Sequence, residues 1–138
     1  MSAIFTPLEV RTLRAAINQI IPPDDFPGGW DAGVGDYLER LLGSDFKLLS
    51  IYRQGLHGMD SAAKDAYGKE FEFLSPEEQY GFLNRVAQGQ IPGQWEIAPE
   101  EFFPMLVGHV MEGYYADPGN GGNKDGVVWR MMGYEVTV

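Results

Sequence analysis

The chain has 138 residues, 44% of them hydrophobic and 13% aromatic, which is enough to bury one modest core and too apolar for a disordered chain. Twenty acidic residues against ten basic ones leave a net charge of −10, which repels nucleic-acid phosphates and anionic lipid surfaces alike. The absence of cysteine excludes disulfides, thiolate metal sites, iron–sulfur ligation and cysteine nucleophiles, and it leaves the redox compartment open.

Thr6-Pro7-Leu8-Glu9 predicts a helix start, with Thr6 as N-cap, Pro7 at the first helical position and Glu9 closing a capping box. Phe5 and Val10 stand where a hydrophobic staple would place them. Val10, Leu13, Ile17, Ile20 and Ile21 recur on one face until Pro22-Pro23 ends the helix. Asp24 to Gly29 reads as a loop. There the adjacent carboxylates of Asp24 and Asp25 are a weak candidate for a metal or substrate site, against the alternative that they cap the next segment or face water.

Asp31 is the expected N-cap of a short second helix with Val34, Leu38, Leu41 and Leu42 inward, stopped at Gly43. The longest helix runs from Asp45 to about Ala66, with Leu48, Tyr52, Leu56, Met59, Ala63 and Ala66 stepping by three or four. Gly55 and Gly58 weaken it intrinsically, so they predict close packing against a neighbour or a local bend. Ser75-Pro76-Glu77-Glu78 repeats the capped start, with Phe82, Leu83 and Val86 inward and Gly89 as the stop.

Gly89 to Ala98 reads as a second loop holding Trp95. Pro99-Glu100-Glu101 opens the last helix, whose stripe is Phe102, Leu106, Val110 and Gly113, with Pro104 expected to kink the first turn or move the regular start to Phe103. Strand candidates are confined to Phe71-Glu72-Phe73 and the tail from Tyr134 to Val138. The expected architecture is therefore a single all-α domain over residues 1–138, a bundle of about five helices with a glycine-rich C-terminal loop and an irregular tail. No stretch is long and apolar enough to span a membrane, and residues 1–20 carry no basic segment followed by an apolar core, so direct membrane insertion is not expected and a cytoplasmic location is.

The loop from Asp117 to Gly126 holds four glycines, two asparagines and a proline, a composition that requires turns rather than helix or strand. It fits no phosphate or ion motif well. Lys124 stands where a dinucleotide fingerprint needs its third glycine, Asn123 stands where a P-loop needs glycine before lysine, and Val128 stands where an EF-hand needs its bidentate glutamate. Trp129, Met131, Met132 and Tyr134 follow, which is more apolar bulk than a solvated tail carries. The loop reads as a partner-binding element or as a turn-rich connection in which Trp129 closes the bundle.

His57 and His109 each have an acid three residues later, Asp60 and Glu112, a spacing that sets imidazole and carboxylate side by side on a helix, as in di-iron carboxylate bundles. Those bundles need further inward glutamates, and none of the core stripes contains one. No serine lies in a nucleophile elbow. Glu77-Glu78 and Glu100-Glu101 sit in first helical turns, where the helix dipole accounts for them. On residue types alone, the chain reads as carrying no catalytic, cofactor or metal residues of its own.

Two pieces of the sequence, in order, resemble a known family. They are Ile20-Ile21-Pro22-Pro23-Asp24-Asp25 with Ala32-Gly33-Val34 and Tyr37-Leu38, and Gly113-Tyr114-Tyr115-Ala116-Asp117-Pro118 leading through Gly121-Gly122-Asn123-Lys124-Asp125 to Trp129-Arg130 and Gly133-Tyr134. The family is subunit 3, the small or gamma subunit, of gluconate 2-dehydrogenase and related FAD-dependent sugar and polyol dehydrogenases. The resemblance implies a non-catalytic subunit that binds and stabilises a separate flavoprotein of the glucose-methanol-choline type, holding FAD in that partner, with a cytochrome c subunit in some complexes. Family members often carry a twin-arginine export signal, which Met1 to Phe5 does not show. Export to the periplasm would then be as cargo on the partner. Trp and Arg are enriched among interface hot spots, so Asn120, Gly121, Gly122, Asn123, Asp125, Trp129, Arg130 and Tyr134 are the expected interface, with Pro22, Pro23 and Asp24 as a second contact or as support. The competing readings are a self-sufficient metal protein or enzyme using His57, Asp60, His109 and Glu112, and an acidic adaptor for an unrelated protein.

Overall fold

A computed structural model describes residues 4–23, 27–93 and 95–115. Every regular element among them is helical: α1 (Pro7–Ile20), α2 (Val34–Gly43), α3 (Phe46–Tyr67), a 3₁₀ turn at Phe71–Phe73, α4 (Pro76–Ala87) and α5 (Pro99–Tyr114). The all-α expectation holds, and the short Phe71 to Phe73 stretch is a helical turn rather than a strand. Phe71 is fully buried there while Phe73 is exposed.

The capped starts form as their sequences dictate. The Glu9 N–H donates to Thr6 Oγ1 at 3.2 Å and the Thr6 N–H donates to Glu9 Oε1 at 2.8 Å. Ser75 and Glu78 reproduce the box on α4 at 3.1 and 2.9 Å. Asp45 caps α3 by accepting from the Leu48 N–H, and Gly68 ends that helix at φ 74°, a left-handed position that glycine takes without a Cβ penalty.

One boundary differs from expectation. The second helix begins at Val34 with Gly33 as its N-cap at φ 93°, not at Asp31, because Trp30 to Gly33 is used up in a turn closed by the Gly33 N–H on the Trp30 carbonyl. The last helix starts at Pro99 and runs through Pro104. Pro104 lies on the solvent face, where the Glu100 carbonyl that loses its usual donor can be served by water.

α5 packs against all four other helices, and α3 packs against α1, α2 and α5. Tyr52, Phe71, Phe82 and Phe102 are fully buried at the centre. Tyr52 meets His109 and Gly55 meets Phe102. Residue numbers rise along α3 as they fall along α5, so the two helices are antiparallel. The glycines of α3 explain their own cost: a Cβ on Gly55 would lie 2.4 Å from the Phe102 ring, and one on Gly58 would lie 2.4 Å from the Trp95 ring. Close approach is the reason for both, and α3 continues unbroken through them.

Candidate functional site

The residues expected to form the partner interface, Asn120, Gly121, Gly122, Asn123, Asp125, Trp129, Arg130 and Tyr134, lie outside the described residues, as does Asp24. Pro22 and Pro23 are described and exposed. They belong to a turn that folds back on itself, since the Gly29 N–H donates to the Ile21 carbonyl at 2.9 Å and a Cβ on Gly28 would lie 2.7 Å from the Pro23 nitrogen. The Tyr114 hydroxyl at the end of α5 donates to the Pro27 carbonyl at 3.3 Å. The fold thus brings the turn after α1 to the end of α5, where the glycine-rich stretch begins.

The His57–Asp60 pair read from sequence is separated by other partners. His57 Nε2 donates to Glu9 Oε2 at 2.9 Å, and Arg53 stands 3.8 Å from the other oxygen of Glu9 while also donating to the Ile4 carbonyl. Glu9 is only 3% exposed whereas Arg53 and His57 reach into water. One carboxylate therefore serves as cap residue for α1 and as anchor between α1 and α3. Nothing in the sequence spacing links residue 9 to residues 53 and 57, and this site was not legible beforehand.

Asp60 turns inward instead of toward His57. It accepts from the Thr12 hydroxyl at 2.8 Å and from the Phe71 N–H at 3.2 Å, so one carboxyl ties α3 to α1 and to the 3₁₀ turn. Its pKa is raised by desolvation, an effect that the two hydrogen bonds oppose and only partly offset. Thr12 Oγ1 also lies 3.0 Å from the Leu8 carbonyl. The Thr12 hydroxyl thus has two acceptors within reach, Asp60 Oδ2 and the Leu8 carbonyl.

His109 shares a 2.7 Å hydrogen bond through Nδ1 with the Tyr52 hydroxyl and stacks on that ring at 5.8 Å. Burial pushes the Tyr52 phenol well above its ordinary range, and the Glu112 carboxylate raises it further. This phenol stays protonated and acts as a structural donor or acceptor in the core. Among the described residues no group of three or more His, Asp and Glu is placed to hold a metal ion, and His57, Asp60 and His109 each have a different hydrogen-bond partner.

An open groove of about 430 Å³ follows one face of α3, lined by Ser50, Arg53, Gln54, His57, Gly58, Ser61 and Glu96. Its Arg53 and His57 already contact Glu9. Behind it Trp95 covers Gly58, and its indole Nε1 is buried without a hydrogen-bond partner among the described residues. No helix among the described residues is long and apolar enough to cross a membrane.

The outward face of the molecule is apolar in places. Phe46 is 81% exposed, and Phe73, Tyr80, Met111 and Tyr115 are also open to solvent. Large apolar side chains left outside a filled core are candidates for contact with another chain. Among curated proteins and among solved structures nothing matches the chain. The sequence model of the family described as gluconate 2-dehydrogenase subunit 3 matches residues 7–135, the capped start of α1 through to the tail. With so much of its length accounted for, the chain belongs to the gluconate 2-dehydrogenase subunit 3 family.

Proposed function

We propose that this chain is the small, non-catalytic subunit of a multi-subunit dehydrogenase, and that it binds and stabilises a separate FAD-dependent flavoprotein which oxidises a sugar or polyol. The observation that carries the reading is the family match over residues 7–135. Two structural features support it. The described elements are all helical, whereas a flavin dinucleotide is ordinarily held on a parallel sheet, so the flavin is assigned to the partner. The histidines and buried acids are spent on tying helices together, which leaves surface contact as the chain's work.

Co-expression with the flavoprotein tests this. The large subunit is expected to be soluble, flavin-loaded and active with the small chain and to lose yield and flavin content without it. Equal solubility, flavin loading and turnover in its absence would reject the proposal. An electron-accepting cytochrome c in the same complex is a further element of the reading, checked by whether haem absorbance co-elutes with the pair.

A further inference from the structure

The outward stripe of α5 differs from those of the other helices. Pro104, Gly108, Met111 and Tyr115 are all exposed and recur in alternating steps of four and three residues, which sets them in one line along the helix. None of them is charged, and Met111 and Tyr115 are 38% and 51% exposed. The other helices present charge outward: Arg11 and Arg14 on α1, Arg40 on α2, Lys47 and Arg53 on α3, Arg85 on α4. The stripe is flanked by exposed Glu100 on one side and by Glu101 and Glu112 on the other, and α5 contains no Lys or Arg at all.

Gly108 sharpens the point. Glycine inside a helix costs stability relative to alanine, and at Gly55 and Gly58 a ring packed on the backbone accounts for that cost. At Gly108 no described residue lies within 4 Å of where a Cβ would be. No contact among the described residues calls for its missing side chain, whereas a partner helix laid along the stripe would use the notch for close approach.

We propose that the α5 stripe is the docking seam for an apolar, basic-rimmed helix face on the large flavoprotein subunit. This rests on the subunit reading above and adds the location and chemistry of the contact. Charge selects the occupant. A second copy of this chain would set acidic rim against acidic rim under a net charge of −10 on each molecule, while a rim of Lys or Arg on the partner would pair with Glu100, Glu101 and Glu112.

The test is the affinity of the full chain for the flavoprotein subunit, measured for wild type, for Gly108→Glu/Met111→Glu and for Gly81→Glu. Gly81 is a control on α4 that also has nothing near its absent Cβ. The double variant is expected to bind about tenfold or more weakly, the control to match wild type, and wild-type binding to weaken with added salt. Thermal melts of each free variant establish that folding is retained. Wild-type binding with an unaffected double variant overturns the seam and leaves the subunit reading standing, whereas failure of wild type itself to bind rejects the subunit reading. A wild-type dimer that the double variant converts to monomer overturns the proposal in favour of self-association. An equal loss of melting temperature in the double variant and in Trp129→Glu overturns it in favour of the chain's own C-terminal residues.

Discussion

At Gly55 the missing methyl is occupied by a neighbour's ring, and the energies there can be weighed. Alanine would gain about 1 kcal/mol of helix propensity but would place its Cβ 2.4 Å from a Phe102 ring that is 0% exposed and has nowhere to move. Overpacking of this kind costs about 1–3 kcal/mol, so Gly55→Ala is expected to destabilise the chain by up to about 2 kcal/mol net in urea unfolding. Asp60 gives a prediction in pH. Its folded pKa is raised above the ordinary aspartate value of 3.8, chiefly by burial. Its favourable contribution is therefore complete below that value and is lost as pH rises through the raised folded pKa. Asp60→Asn removes the titration, so wild type should lose stability relative to the variant between acidic and neutral pH. Parallel denaturation curves for the two proteins across that range would contradict this. The residue types at 12 and 60 are plain in the sequence, yet their pairing across 48 positions is decided by the packing of α1 on α3.

The helices themselves were largely readable. Both capping boxes follow from local chemistry that needs no distant partner. The start of α2 was misplaced because Asp31 has a capping side chain, but the turn from Gly28 to Gly33 occupies it and leaves Gly33 as the cap. On α5 the periodic stripe Phe102, Leu106, Val110 and Gly113 is buried as read. The opposite stripe attracts notice only once its exposure is known. Gly108→Ala, with open space for the new methyl, should stabilise the free chain by about 0.5–1 kcal/mol, opposite in sign to Gly55→Ala on α3. The shift of its thermal midpoint measures this, and a destabilised variant would mean that α5 is tighter there than described.

Across the whole molecule, charge and shape act together. A net charge of −10 on 138 residues opposes compaction. The exposed pairs Arg11–Glu72 and Lys64–Glu70, at 3.1 and 3.6 Å, offset little of that. Raising NaCl to about 0.5 M is therefore expected to lift the melting temperature by about 2–5 °C, since screening relieves more repulsion than it removes attraction. A fall on adding salt would give the ion pairs more weight than this. The same acidity disfavours self-pairing through α5 and favours a partner with a basic rim, so the electrostatics of the assembly follow from those of the monomer.

Periodicity and capping determined by themselves that the described elements are helical and where most of them start and stop, because those signals depend only on residues within a turn or two of each other. Tertiary structure alone decided that Glu9 gathers Arg53 and His57, that Asp60 faces Thr12 instead of its own helix neighbour, and that α5 keeps an uncharged stripe in water. Such pairings join residues far apart in the chain, and only the way the helices pack determines which side chains meet and which are left facing solvent.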